Sequence, residues 1–193
     1  MAMTVHQATR PAAPARSFTA REFRDAMGQF ATGVVIVSVA AGDATHAMTA
    51  NAFMSGSLEP PLIVVSIAHR ARMHERIGEA RCFAISMLAE SQIATSSHFA
   101  GKPASEHPPR FERLCGVPVL VGAGTRLVAE KRAAHACGDH TLFVGEVLAI
   151  DGPSDKPRPL LFHAGRYGEM APNAWSAEAV PEGFWAWHSA SLW

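Results

Sequence analysis

The fold is decided by residues 48–61, MTANAFMSGSLEPP, together with residues 62–68, LIVVSIA, which follow directly. The first segment holds one charged residue and is rich in small and hydroxyl side chains, so its backbone N–H and C=O groups can approach a flat ligand closely. The second segment is a short apolar run with several β-branched residues, which predicts a buried strand. Composition alone favours a simpler interpretation, in which two strands joined by a Pro-Pro corner bind nothing.

Length and composition are those of one globular domain. The chain has 193 residues, of which 48% are hydrophobic and 18% are charged, enough for a substantial core. Its 17 basic and 17 acidic residues cancel, which argues against a nucleic-acid-binding surface. No apolar run approaches the ~20 residues of a membrane-spanning helix. Three cysteines without a CxxC pair predict reduced thiols in a cytoplasmic protein.

The first elements are predicted from a helix-capping pattern and two apolar runs. Residues 19–22, TARE, form a capping box, and apolar residues then recur at helical spacing. We expect a helix over residues 20–30 that buries one face and ends before Gly33. Residues 34–40 are apolar and β-branched, and residues 45–50 return after a Gly-Asp turn, which predicts a hairpin.

The remaining elements complete a mainly β protein. Beyond residues 62–68 we predict strands over residues 83–88, 117–121, 125–137, 141–151 and 159–162, and helical segments that end near residues 80 and 99. Residues 101–113 are polar with three prolines and predict a mobile loop. Six or seven strands with mostly hairpin connections indicate an antiparallel β-barrel with flanking helices.

The chain divides into three predicted segments. Residues 1–16 are rich in Ala and Pro without an apolar stretch, which predicts a disordered leader rather than a signal peptide. Residues 17–170 form the barrel domain, and residues 171–193 form a tail that contains all four tryptophans.

Five motifs in order resemble the flavin reductase-like family, the short-chain reductases that supply reduced flavin to two-component monooxygenases. The motifs lie within residues 30–34, 49–62, 92–100, 138–140 and 159–167. The resemblance implies the FMN-binding split-barrel fold, and a homodimer with each flavin near the subunit interface. The Trp-rich tail resembles, more loosely, the tail of reductase partners of phenolic-ring hydroxylases.

The resemblance implies a flavin site built around the deciding stretch. Backbone amides and the Asn51 side chain would lie along the ring edge, near flavin N5 and O4. Ser55 and Ser57 sit two apart, so on a regular strand they share a face and both reach the ribityl or phosphate end; their alternative role is as solvent-facing strand residues. The implied flavin-binding residues are Thr49, Ala50, Asn51, Ala52, Phe53, Ser55, Ser57, Ser66, Ile67, Ala68, Arg70, Arg72, Met73 and Ala100.

Residues 69–74, HRARMH, are the predicted phosphate-binding turn. They follow a strand and open a helix, whose free N–H groups and dipole favour an anion. Arg70 and Arg72 add charge and bidentate geometry. Met73 stands where the family often carries a hydroxyl, so the turn does not decide between FMN and FAD. The alternative is a solvated basic turn.

The resemblance also implies a surface for a nicotinamide dinucleotide, NADH or NADPH. His140, in the tight turn 138–140, would stack on it or hydrogen-bond to it, although from the residues alone His140 is only a turn histidine. Arg166 would pair with the pyrophosphate, and Tyr167 would cover the ring. The complete implied set is His140, Phe162, His163, Ala164, Gly165, Arg166 and Tyr167.

Other chemistries find less support in the sequence. His135, Cys137 and His140 would supply three metal ligands, but a closed zinc site needs four and no fourth lies nearby, so we expect no metal. There is no nucleophile elbow of a hydrolase and no GxGxxG motif after a strand. A nicotinamide cofactor would therefore bind as a transient substrate.

We therefore expect an NAD(P)H:flavin oxidoreductase in which hydride passes from nicotinamide C4 to flavin N5 without a side chain acting as acid or base. Reduced flavin would leave for a separate oxygenase, one that acts on an aromatic or phenolic ring. Two alternatives stay open: a flavoprotein that reduces another acceptor such as a cobalt corrinoid, and a flavin- or haem-binding module without turnover.

Overall fold

The computed structural model describes residues 17–103, 108–155 and 157–171. The predicted leader, residues 1–16, and all but the first residue of the predicted tail lie outside these ranges. The described chain has three α-helices, one 3₁₀ turn and twelve strands. The helices are α1 Ala20–Met27, α2 Arg72–Glu79 and α3 Ile93–Phe99, and the 3₁₀ turn Glu90–Gln92 precedes α3. The strands are β1 Thr32–Gly33, β2 Val35–Ala41, β3 Ala44–Ala50, β4 Phe53–Leu58, β5 Pro61–Ala68, β6 Cys82–Met87, β7 Phe111–Leu114, β8 Val117–Leu120, β9 Thr125–Cys137, β10 His140–Asp151, β11 Leu161–His163 and β12 Arg166–Gly168.

One seven-stranded antiparallel sheet dominates, with the order β3-β2-β6-β9-β10-β5-β4. Alternate residues of its strands, including Val37 on β2, Val65 on β5 and Phe143 on β10, belong to one buried cluster. Because strands from both halves of the sheet meet in this cluster, the sheet curls around it. Met73 and Ile77 of α2 complete the cluster. The predicted mainly β fold with flanking helices is confirmed.

A second buried cluster lies on the outer side of β2. It joins Val34 and Ile36 to Leu88, Leu120 and Leu160, and Phe162 and Tyr167 of the β11–β12 hairpin pack against it. Strand β2 is therefore buried on both faces, which explains its continuous apolar run. This second cluster holds α3 and the β11–β12 hairpin against the end of β3.

Helix α1 has the predicted N-terminus but not the predicted burial. The Glu22 N–H donates to Thr19 Oγ1 at 3.2 Å and the Thr19 N–H donates to Glu22 Oε2 at 2.8 Å, which completes the capping box. These bonds lower the pKa of Glu22. The helix ends at Met27 rather than residue 30, and Phe23, Met27 and Phe30 are 53%, 55% and 72% exposed. Periodicity identifies an apolar face but not what covers it, and nothing in the described chain covers this one.

The predicted mobile loop over residues 101–113 is wrong at its C-terminal end. Residues 111–114 form β7, which pairs with β8 in a separate two-stranded sheet. The ring of Phe111 lies edge-on to that of Phe99 at the end of α3, with 5.7 Å between the ring centres. Tertiary packing of one aromatic residue thus fixes a segment whose composition is that of a loop.

No helix in the described part of the chain is both long and apolar enough to cross a membrane. Cys82, Cys115 and Cys137 are all free thiols.

Candidate functional site

A cavity of about 140 Å³ brings together residues from four of the five sequence motifs. Its walls come from the end of β3 and the residue after it, from α3 and its C-cap, from the residue before β2, and from the β11–β12 hairpin. The residues that line it are Val34, Thr49, Ala50, Asn51, Ser96, Ala100, Phe162 and Tyr167. Three of the predicted flavin-edge residues, Thr49, Ala50 and Asn51, and two of the predicted nicotinamide residues therefore line one space.

A short polar network holds this cavity open. The Thr49 hydroxyl donates to the backbone carbonyl of Ser96 at 2.7 Å, and the hydroxyls of Ser96 and Tyr167 are hydrogen-bonded at 2.9 Å. Phe162 packs edge-on against Tyr167 with 5.7 Å between ring centres. Strand β3, helix α3 and the β11–β12 hairpin are thus fixed to one another around the cavity. Ser96 was not predicted, because a serine within a helix carries no pattern that marks it as a site residue.

We expect Tyr167→Phe to lower the free energy of unfolding by about 1–2 kcal/mol, because the fully buried Ser96 hydroxyl loses its partner. Urea denaturation of Tyr167→Phe, Ser96→Ala and the double variant measures the coupling. The double variant should cost less than the sum of the single costs. Strictly additive costs would show that the two hydroxyls do not interact.

Asn51 lines three neighbouring cavities. Besides the first cavity it lines one of about 130 Å³ with Phe53 and one of about 620 Å³ against α1. Its side-chain N–H donates to Thr32 Oγ1 at 3.3 Å, a partner that the sequence did not indicate. The largest cavity is also lined by Phe162, Ala164 and Gly165, so the nicotinamide wall predicted from residues 162–165 faces α1.

The prediction that Ser55 and Ser57 share a face is wrong. Ser55 pairs with Ile63, and Ser57 pairs with Leu62, the residue next to Ile63 on β5. Gly56 is therefore an extra residue on β4, which makes a β-bulge. Paired residues of an antiparallel ladder lie on the same face, and Ile63 and Leu62 lie on opposite faces. Ser55 therefore lies on the face of Phe53, and Ser57 lies on the other.

The other predicted flavin residues occupy the end of β5 and the turn after it. The Ser66 N–H donates to the carbonyl of Ala52 at 2.9 Å, which fixes the residue before β4 against β5. Ile67 and Met73 are fully buried core residues, so only their backbone groups can reach a ligand. None of residues 66–73 lines the 140 Å³ cavity.

The predicted phosphate turn carries exposed cations at the N-terminus of α2. Arg70 and Arg72 are exposed, and the N-cap residue Ala71 has no side chain that can occupy the helix end. One turn along α2, Arg76 lies near His46, whose pKa is lowered by burial and then by the charges of Arg76 and Arg72. The arrangement suits an anion, because helix N–H groups and guanidinium groups meet there.

His140 lies beside this turn. Strand pairing puts it directly opposite Ala68. Its Nδ1 is 2.7 Å from Asp139 Oδ1, and the hydrogen bond and charge of His140, with a smaller effect of Arg70, lower the pKa of Asp139. The predicted nicotinamide residues are therefore divided: His140 lies beside the turn, whereas His163 and Arg166 pair with each other, exposed, in the β11–β12 hairpin.

Within the described residues, no group of three or more His, Cys, Asp or Glu side chains is arranged to hold a metal ion. Cys137 and His140, two of the ligands considered from the sequence, are paired neighbours on β9 and β10.

Comparison with known proteins decides the family. The sequence profile of the flavin reductase-like domain matches residues 27–171. The chain belongs to the flavin reductase-like family. An NADH-dependent flavin reductase from Rhodococcus is 44% identical over 155 residues, which are 79% of this chain and 87% of that protein. The reductase component of an FADH₂-dependent resorcinol hydroxylase from Rhizobium is 36% identical over 163 residues, 81% of this chain and 90% of the relative.

The fold of this flavin reductase-like chain agrees with a solved member of the family. The structure of the flavin reductase PheA2 superposes with a TM-score of 0.76 at 41% identity, over 80% of this chain and 99% of the other. The resemblance inferred from the five motifs and the split-barrel fold that it implied are confirmed.

Proposed function

We propose that this flavin reductase-like chain transfers hydride from a reduced nicotinamide dinucleotide, NADH or NADPH, to FMN or FAD, and supplies the reduced flavin to a separate monooxygenase. The observation that carries the proposal is the 140 Å³ cavity, in which Thr49, Asn51, Ala100 and Tyr167 converge from separate motifs. The two relatives support it, because one is named an NADH-dependent flavin reductase and the other the reductase of a resorcinol hydroxylase. The latter favours an oxygenase that acts on a phenolic ring.

The residues around the cavity fit a flavin ring. Small side chains at Ala50 and Ala100 leave room for a flat group, and Asn51 and backbone amides offer polar contacts at its edge. When bound, the flavin supplies an N5 atom that accepts hydride from nicotinamide C4. The chain's own contribution is to orient both rings, to exclude water with Phe162 and Tyr167, and to stabilise negative charge with fixed amide dipoles.

The turn at residues 69–74 and the β11–β12 hairpin would bind the charged ends of the two substrates. In this proposal Arg70 and Arg72 bind the flavin phosphate, while His163 and Arg166 bind the nicotinamide dinucleotide. His140 lies beside the turn, where it would position the nicotinamide. No side chain has to donate or accept a proton for hydride to move, so these residues act by binding and orientation.

We also propose a homodimer. The apolar residues Phe23, Met27 and Phe30 of the α1 region are exposed, as are Met54 and Leu58 on the edge strand β4. Exposed apolar groups of this size mark interaction surfaces. A second copy of the chain that covers them would close the cavity of about 620 Å³ beside α1. The three free cysteines suit the cytoplasm, where we expect the protein to work.

Steady-state oxidation of NADH and NADPH, with FMN, FAD, riboflavin and a cobalt corrinoid as acceptors, tests the proposal. We expect turnover with free flavins and none with the corrinoid. Turnover with the corrinoid alone would favour the alternative acceptor. A folded protein that oxidises no nicotinamide above the rate without protein would remove the proposed function.

We expect His140→Ala to raise the KM for NADH about tenfold while flavin affinity stays unchanged, because in this proposal His140 contacts the nicotinamide and not the flavin. Two further variants separate its roles: His140→Phe keeps ring stacking, and His140→Gln keeps a hydrogen bond. Recovery by one of them identifies the interaction. A KM for NADH that stays at the wild-type value in His140→Ala would remove this residue from the site.

A further inference from the structure

The hydroxyl of Thr141 joins two histidines of the phosphate turn. Thr141 is 9% exposed and faces the inside of the barrel end on β10. Its Oγ1 lies 2.8 Å from His74 Nε2 and 3.2 Å from His69 Nε2. The two imidazole rings are edge-on to each other with 4.9 Å between centres, and His74 packs against Phe143 at 5.6 Å.

Hydrogen-bond counting limits how the three groups can share protons. A hydroxyl has one hydrogen and two lone pairs, and a neutral imidazole has one donor and one acceptor nitrogen. Thr141 can therefore donate to only one of the two Nε2 atoms. O–H donors make shorter bonds than N–H donors, so we place the hydroxyl hydrogen in the shorter contact, toward His74 Nε2. The longer contact is then His69 Nε2–H donating to Thr141 Oγ1.

The same residues connect the turn to the hairpin that carries His140. The backbone N–H of His69 donates to the carbonyl of Asp139 at 3.0 Å, and the Asp139 carboxylate contacts His140 Nδ1 at 2.7 Å. His140 is also the strand partner of Ala68, the residue before the turn. The turn and the hairpin therefore form one hydrogen-bonded unit, with Thr141 at its buried side.

We propose that Thr141 is a positioning residue for anion binding by the turn at residues 69–74, an inference that rests on the proposed function. The turn carries two exposed arginines, and the rings of its two histidines both contact the Thr141 hydroxyl. Thr141 holds the rings in complementary tautomers. The turn then keeps one backbone conformation, in which Arg70, Arg72 and the N–H groups that do not already donate to backbone carbonyls face the same phosphate.

The test compares FMN with riboflavin, which has the same ring system without the phosphate. In the wild type, FMN should bind more tightly than riboflavin, and the ratio of the two dissociation constants measures the phosphate contribution. We expect Thr141→Val to reduce this ratio about tenfold while riboflavin affinity stays unchanged. Thr141→Ser should restore the ratio, because serine keeps the hydroxyl. Thr45→Val, the same change at an exposed residue of β3, serves as control.

A second readout does not depend on flavin. Long-range ¹⁵N–¹H correlation spectra of the wild type should show His69 protonated at Nε2 and His74 at Nδ1, and Thr141→Val should lose this pattern. A merely structural role would weaken FMN and riboflavin equally. Equal weakening of both flavins would overturn the inference. So would an unchanged ratio in Thr141→Val, or the same tautomer at both histidines in the wild type.

Failure of this inference is distinguishable from failure of the proposed function. A wild type that binds riboflavin as tightly as FMN would overturn the role of the turn, and Thr141 with it. The same protein would still show flavin reductase activity with riboflavin as acceptor.

Discussion

Replacing Ala100 with tryptophan is expected to weaken flavin binding by at least about 100-fold, a loss of about 2.7 kcal/mol. Ala100 is the exposed C-cap of α3 and forms part of the rim of the 140 Å³ cavity. An indole at this position fills the space between Asn51 and Tyr167 from outside, without displacing any core residue. Fluorescence titration with FMN and FAD measures the affinity, and the rate of NADH oxidation should fall in parallel.

The matched control is Ala94→Trp. Ala94 is also exposed on α3, but it does not line the cavity. This variant should bind flavin like the wild type, so that a loss of binding in both variants would indicate a disturbed helix rather than a filled site. Wild-type affinity in Ala100→Trp would show that the flavin ring lies elsewhere.

Replacing Gly145 with valine is expected to lower the free energy of unfolding by more than about 3 kcal/mol. Gly145 lies on β10 against the buried ring of Phe83. A Cβ atom there would sit 2.6 Å from Phe83 Cζ and 2.9 Å from Ala129 Cβ. Both neighbours are fully buried, so neither can move aside without distorting the core. Urea denaturation or the soluble yield on expression measures this loss.

Gly78→Ala is the matched control, because it replaces a glycine at a position where a side chain has room. A Cβ at Gly78, in helix α2, meets nothing within 4 Å. Alanine favours a helix over glycine, so this variant should gain about 0.5–1 kcal/mol of stability. If Gly145→Val unfolded within about 0.5 kcal/mol of the wild type, the close packing of β10 on Phe83 would be contradicted.

Local patterns predicted most of the fold. The capping box at residues 19–22 marked the start of α1, and the strand predicted over residues 125–137 coincides with β9. These features depend on neighbours in sequence, which the chain itself displays. The motifs around Thr49, Ala100 and Tyr167 also named residues that the fold gathers around one cavity, although they lie far apart along the chain.

What the sequence did not predict depends on contacts between distant residues. The bulge at Gly56 separates Ser55 from Ser57, and it arises from the pairing of β4 with β5 rather than from local composition. Ser96 and Thr141 are ordinary polar residues until the fold brings partners to their hydroxyls. The exposed face of α1 shows the same limit, because periodicity identifies an apolar face but does not tell whether another part of the protein covers it.

Anaerobic titration of the flavin-loaded protein with NADH tests the central claim most directly: the cavity lined by Thr49, Asn51, Ala100 and Tyr167 binds a flavin ring on which a reduced nicotinamide can lie. We predict that the yellow absorbance bleaches in proportion to the NADH added, until each flavin has received one hydride. A bound flavin that keeps its yellow absorbance with excess NADH, and with excess NADPH, would contradict the account.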